Sequence, residues 1–246
     1  MHSDLVKTRV ISSKQLLPLV LFIETVAIVM AIATAIKTGN SPFRYFDEGE
    51  FMTYFSCLQL LIISIYAGKI ARQAKKSPLV ELVKNAVFWW VVSGGLFYLA
   101  LDDALSIHEE IDKSLHRLLG VQETLVTDLA DDIIVGIYLL VALAYIVYQW
   151  QNLQFFRSSF NYFKIGFVLG TTMVAADILS NNTLFVSMVT EDSQLQGQLI
   201  LYLGIFEEIA KTVAEGFFLV GAYHCWRQVK SIELQRDRQQ ESTVKS

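Results

Sequence analysis

The chain has 246 residues, of which 53% are hydrophobic, with a mean hydropathy of +0.43 and a net charge of −4. Soluble domains of this size hold about 45–50% apolar residues, so the balance excludes an ordinary soluble globule. No basic arm or Gly-rich tract points to nucleic acid. The two cysteines, Cys57 and Cys225, lie in separate apolar segments and match neither a disulfide framework nor a metal knuckle.

The amino terminus has a basic start, followed by about twenty apolar residues without a small-residue cleavage site. This predicts an uncleaved first span over residues 15–37. Further runs long enough for ~30 Å of hydrocarbon cover 51–71, 86–107, 130–149, 162–187 and 197–226. Turn chemistry separates them: Gly39-Asn40-Ser41-Pro42, Lys75-Lys76-Ser77-Pro78, and Gly120 after a short amphipathic stretch. The pattern predicts an all-α fold, a polytopic integral membrane helix bundle of about six transmembrane helices. Residues 1–226 form one transmembrane domain. Residues 227–246 form a polar cytoplasmic tail, expected as a fraying helix end or disorder.

Basic residues set the orientation. With both termini cytoplasmic, the outer side holds only Lys37, Arg44, Lys113 and Arg117. Lys211 falls within a span, and the remaining lysines and arginines face the cytoplasm. The acids do the reverse, and the positive-inside rule says little about acids.

The third span ends Leu101-Asp102-Asp103-Ala104-Leu105-Ser106-Ile107-His108-Glu109-Glu110. At about 100° per residue, a continuous helix puts Asp102, Asp103, Ser106, Glu109 and Glu110 on one face and turns His108 away. Acids at a helix C-terminus oppose the helix dipole, so capping does not account for them. The fourth span opens Thr127-Asp128-Leu129-Ala130-Asp131-Asp132, again with its acids on one face. There, capping by Thr127 and dipole compensation compete with function as explanations. The group Asp47-Glu48-Gly49-Glu50 before the second span has the same ordinary explanation.

Asp177, with Ser180 and Asn181, lies well inside the fifth span, and Glu24 lies in the first. The sixth carries Glu207, Glu208, Lys211 and Glu215 on one stripe. Each charge at such depth costs ~2.5–3.5 kcal/mol or more, and such residues normally face a bundle interior and serve function. One lysine cannot neutralise the set, so protons, water or a bound cation must. Helix-to-helix hydrogen bonding between protonated acids is the structural alternative.

These observations predict a carboxylate-lined pocket in the outer half of the bilayer, open to the extracytoplasmic side of a cell membrane. A divalent cation (Mg, Mn, Ca or Fe) fits its oxygen ligands. Asp103, Asp132, Glu207 and Glu208 are the expected direct ligands, and Asp102, Asp131 and Asp177 are ligands or their supports. Ser106, His108, Glu110, Asn181 and Lys211 are supporting groups. The Glu-x-x-His spacing of di-iron bundles is absent. A metal-dependent membrane enzyme with unassigned catalytic residues is one reading. A cation- or proton-coupled transporter or channel is another, and a non-catalytic subunit or assembly factor is a third. The expected partners are the lipid bilayer and either a membrane protein or a second copy of the chain. An enzyme predicts a cavity closed toward the cytoplasm, whereas a transporter predicts polar residues continuing through Lys211 and Glu215.

Overall fold

The computed structural model describes residues 12–46, 49–76, 80–119, 130–181 and 183–244, and every regular element among them is helical. The helices are α1 (Ser13–Thr38), α2 (Phe51–Lys76), α3 (Val80–Leu105), α4 (Ile107–Leu119) and α5 (Ala130–Tyr148). They continue as α6 (Trp150–Leu153), α7 (Phe160–Asn181), α8 (Thr183–Val189) and α9 (Ser193–Val244). Two 3-10 segments, Pro42–Tyr45 and Gln154–Ser159, join their neighbours.

Among the described residues, Gln15–Thr38, Phe51–Lys76 and Gln154–Ser180 are long and apolar enough to cross a membrane, and Gly136–Tyr148 is a shorter apolar helix. The third and sixth expected spans fall on α3 and α9. In α3 the charges Glu81, Lys84, Asp102 and Asp103 flank an uncharged run over 85–101, whereas Glu207, Glu208, Lys211 and Glu215 interrupt α9. The outward faces of α1, α5 and α7 carry Phe22, Met30, Leu140, Val141 and Val168. Helices that are apolar both inside and out belong in a membrane or in a large core.

Pairwise contacts give the relative directions of the helices. Ser64 meets Ser93 and Cys57 meets Asp103, so α2 and α3 are antiparallel. Ser56 meets Glu215 and Gln73 meets Glu233, so α2 and α9 run parallel. Gly166 meets Phe218 and Gly221 meets Phe163, so α7 is antiparallel to α9. Small buried residues permit the close approach: Ala67, Ala71 and Ala74 of α2 pack against Ala86, Phe88 and Trp89 of α3. A second cluster joins Ala27 and Ala31 of α1 to Phe46 and Met52. Small side chains at helix crossings let backbones approach, which is how helices associate where lipid removes the hydrophobic drive.

Local chemistry sets the helix ends. Gly39 adopts φ 70°, and the N–H groups of Gly39 and Asn40 return to the carbonyls of Ile36 and Ala35, closing α1. Only glycine takes that conformation without strain. At the end of α3, Ser106 also has a positive φ, 46°. The continuous helix expected through Glu110 is therefore broken, and Glu109 and Glu110 belong to the separate amphipathic α4. The one-face alignment of Asp102 and Asp103 with Glu109 and Glu110 does not hold. The break puts Glu109 and Glu110 in the first turn of α4, where acids complement the dipole, and leaves Asp102 and Asp103 in the last turn of α3, where they oppose it.

The tail also differs from expectation. Helix α9 continues without interruption to Val244, 52 residues in all. At 1.5 Å per residue this is about 78 Å, far longer than a bilayer core. The extension is rich in Gln, Arg, Glu and Lys, which are good helix formers. Gln73 of α2 donates to Glu233 at 3.3 Å, and Lys230 lies 4.9 Å from the Trp226 ring centroid.

Close packing of α7 on α9 yields a test. A Cβ on Gly221 would come within 2.8 Å of the Phe163 ring, whereas nothing lies within 4 Å of one on Gly170. Gly221→Val is expected to lower stability by about 1–3 kcal/mol through overpacking. Gly170→Ala should leave stability nearly unchanged. Thermal unfolding of the two variants in detergent reads the difference.

Candidate functional site

Three helices place charge in the middle of the bundle, and a fourth, α2, supplies neutral polar partners. Lys211 projects from α9, and its Nζ donates to Asp103 Oδ1 of α3 at 2.8 Å. The same ammonium lies 3.4 Å from Glu208 Oε1, one turn earlier on α9. The three side chains are only 16%, 19% and 14% exposed, so water screens them little. Cys57 of α2 directs its thiol at Asp103 Oδ2, 3.7 Å away.

The polar contacts continue one turn along α9. Ser56 of α2 donates to Glu215 Oε1 at 2.6 Å, and the two side chains are buried. Three residues along α2, Gln59 donates its amide N–H to Glu24 Oε1 of α1 at 2.7 Å. Glu24 is 1% exposed and fits where α9 has Gly216: a Cβ on that glycine would collide with its carboxyl group. Glu24, Asp103 and Glu215 therefore meet Gln59, Cys57 and Ser56 of α2, and Lys211 adds Glu208 to the set through Asp103.

The sequence spacing explains this geometry. Glu208, Lys211 and Glu215 recur at i+3 and i+4, which stacks them on one stripe. Ser56 and Gln59 stand three apart and share a face of α2 in the same way. Because α2 and α9 run parallel, the two ladders stay in register over successive turns.

The expected site residues divide into three groups. Asp103, Glu208 and Lys211 come together. Lys211 is the internal counter-ion for both carboxylates and stands between them, where a metal ion shared by Asp103 and Glu208 would sit. Asp102 is buried and has polar partners of its own, and Glu207 is half-buried on α9. Asp177 is half-buried on α7, where Ser180 donates to its backbone carbonyl at 2.9 Å, so that hydroxyl serves the helix. Ser106 sits in the break after α3, and Glu110 is exposed on α4, 3.7 Å from Lys113.

Asp131 and Asp132 lie in the first turns of α5. Their side chains, like those of His108, Glu109 and Asn181, fall outside the described residues, as do Asp47, Glu48 and Asp128 altogether. One contact fixes the level at which α5 meets α3: the hydroxyls of Tyr98 and Tyr138 lie 2.9 Å apart. Asp102 follows Tyr98 by one turn, while Asp131 and Asp132 precede Tyr138 by about two turns, beyond the same end of the contact. Among the described residues, no group of three or more His, Cys, Asp or Glu is arranged to hold a metal ion.

Sequence reasoning identified Glu24 and Glu215 as buried acids but missed Ser56, Gln59 and Thr212. The available signal was the i, i+3 spacing of Ser56 and Gln59 inside an apolar run. His224 has a local role, with Nδ1 2.8 Å from Ser159 Oγ, the same oxygen that Cys225 approaches at 3.2 Å. Both cysteines are free and buried.

Fold and cluster together define the class: an all-helical protein with membrane-length apolar helices and ionisable groups enclosed between them. The chain belongs to the family described as a domain of unknown function (DUF8692), whose model matches residues 16–226. Neither a curated protein nor a solved structure matches it.

The shared lysine makes the cluster testable. Lys211→Met leaves two poorly solvated carboxylates without their partner and should cost about 3–5 kcal/mol. Adding Asp103→Asn should recover part of the loss, because it removes one of the stranded charges. A double-mutant cycle by thermal unfolding measures the coupling. Additive losses would mean that the pair does not interact.

Proposed function

We propose that the chain is a multi-pass protein of the cell membrane that moves protons or small cations through its carboxylate-lined interior. In this reading α1, α2, α3, α5, α7 and α9 are the six spans, and both termini are cytoplasmic. Helix α4 lies at the outer interface, as its amphipathic pattern favours. The acidic end of α3 then opens to the extracytoplasmic side.

The observation that carries the proposal is the continuity of the polar ladder. From Asp103, Lys211 and Glu208 it passes to Ser56 and Glu215, and from α2 to Gln59 and Glu24. A pocket built only for chemistry on the outer side has no need of acids beyond Lys211. Carboxylates strung through several helices are the usual make-up of proton relays and ion pathways. The aromatic and basic group Tyr66, Tyr223, Trp226, Lys69 and Lys230 gathers near the far end of α2 and along α9, with Lys69 5.3 Å from the Tyr66 centroid. Such belts mark a membrane interface, and their positive charge favours the cytoplasmic one.

The Tyr98–Tyr138 contact favours a second reading, the divalent-cation pocket of a metal-dependent enzyme. It brings α3 and α5 together so that Asp102 and Asp103 lie about one turn, and Asp131 and Asp132 about two turns, beyond the same end of the contact. Four carboxylates at the same end of these helices would offer a hard cation the oxygen ligands it prefers.

Reconstitution separates the readings. Purified protein in liposomes should dissipate an imposed pH or Na+ gradient. Glu208→Gln or Glu215→Gln should slow this about tenfold or more by interrupting the relay. Metal analysis of the same preparation should find no stoichiometric divalent ion. Bound Mg, Mn, Ca or Fe that is lost in Asp102→Asn/Asp103→Asn, without any gradient dissipation, would replace transport with the metal enzyme.

A further inference from the structure

Gly216 leaves a notch on α9, and the Glu24 carboxyl of α1 fills it. Glu24 is 1% exposed, Gln59 6% and Thr212 0%. Gln59 satisfies Glu24 Oε1, but Glu24 Oε2, Gln59 Oε1 and Thr212 Oγ1 each lack a hydrogen-bond partner among the described residues. Thr212 stands one turn before Gly216, on the helix face that Glu24 occupies. Thr25, Thr34, Thr171 and Thr172 all return their hydroxyls to the carbonyl four residues earlier, at 2.7–2.8 Å. Thr212 does not, although it is the most deeply enclosed of them.

An unpaired buried acceptor costs about 1–3 kcal/mol. Three oxygens from three helices beside one notch lack such a partner among the described residues, and one cation can coordinate all three. A proton on Glu24 satisfies one oxygen, whereas a metal cation satisfies all three. The set carries a single negative charge with two neutral oxygens, so a monovalent ion balances it and a divalent ion leaves excess charge. The carboxyl group fills the notch and is only 1% exposed, so an ion beside it must be small.

We propose that Glu24, Gln59 and Thr212 bind a dehydrated sodium ion beside the Glu24 carboxyl that fills the Gly216 notch, between α1, α2 and α9. The site rests on the reading of the interior as a cation pathway and names its ion. Glu215 lies one residue from the notch, and its hydrogen-bond partner Ser56 stands three residues before Gln59 on α2. The sodium site therefore adjoins the Asp103–Lys211–Glu208 cluster, and an ion there would be felt by the charges of that cluster.

The test is the thermal stability of the full-length protein in detergent, titrated with NaCl against choline chloride at constant ionic strength. Sodium should raise the unfolding midpoint saturably, as a ligand of the native state does, and choline should not. Glu24→Gln and the isosteric Thr212→Val should each abolish the sodium response. Ser64→Ala, which alters the Ser64–Ser93 contact away from the notch, should retain it. A midpoint insensitive to sodium in the wild type overturns the site, as does an equal response in all four proteins. If Glu24→Gln does not fold, Thr212→Val decides alone. Proton dissipation in liposomes without a sodium response defeats the site and leaves the transport reading. A sodium response lost in both variants, without any ion movement, supports the site and defeats transport.

Discussion

A lysine ammonium held between two carboxylates inside a helix bundle is the interaction around which the rest of the structure is arranged. Lys211 has little access to water, and in a low-dielectric interior an ion without partners is far more costly than one in solution. Its position on α9 therefore requires an acid on the facing helix, and Asp103 of α3 supplies it at 2.8 Å. The requirement also fixes register. Sliding α9 along α3 by one turn would part Lys211 from Asp103 and leave both charges exposed to hydrocarbon. Apolar contacts among alanines cannot impose that penalty, because one alanine packs much like the next. Helix register thus depends on a few polar pairs, and close approach depends on Ala67, Ala71, Gly166 and Gly221.

Much of this was legible in the sequence. Apolar runs of membrane length, with glycine and proline between them, located the start of each principal helix to within six residues, although α9 runs 18 residues past its expected end. The stripe of Glu208, Lys211 and Glu215 was readable because a spacing of three and four on a helix is a local property. The partner across the bundle was also within reach, since an acid buried in apolar sequence must find a cation and Lys211 was the one available inside a span. What could not be read was the share of α2. Ser56 and Gln59 carry no charge and barely disturb an apolar run, so their role appears only once α2 lies parallel to α9. Two local features also resisted reading. A serine in a left-handed conformation at Ser106 has no strong composition signal, and a polar helix extension past Arg227 resembles a disordered tail in composition.

The expected metal pocket and the observed cluster overlap without coinciding. The expectation grouped acids by their depth in the bilayer, whereas the structure groups them by which helix faces which. Asp103 and Glu208 satisfy both criteria. Glu24 and Glu215 join through α2, while Asp177, on α7, engages none of these groups through Ser180, whose hydroxyl returns to the α7 backbone. A lysine shared by Asp103 and Glu208 lowers their attraction for a divalent ion, because the ammonium already supplies positive charge at the position where that ion would be shared. Any proton or cation that joins these carboxylates does so beside a lysine that already balances part of their charge.

This distinction separates a static ion pair from a working one. A bundle that needed only stability would do as well or better with well-packed apolar side chains in place of Asp103, Glu208 and Lys211, since buried ion pairs seldom repay their desolvation. Here a further acid, Glu215, adjoins the set, and Glu24 lies across a glycine notch from the same stretch of α9. Each added carboxylate raises the negative charge that one lysine must balance and makes the interior harder to keep neutral without mobile cations. Gly216 belongs to the same argument. Alanine there would suit the helix better by about 1 kcal/mol, yet its Cβ would occupy the space of the Glu24 carboxyl. The helix forgoes that propensity, and the space it leaves admits a charged group that stability alone would exclude. Carboxylates added at a cost to packing and helix propensity are what the proposed cation path would require.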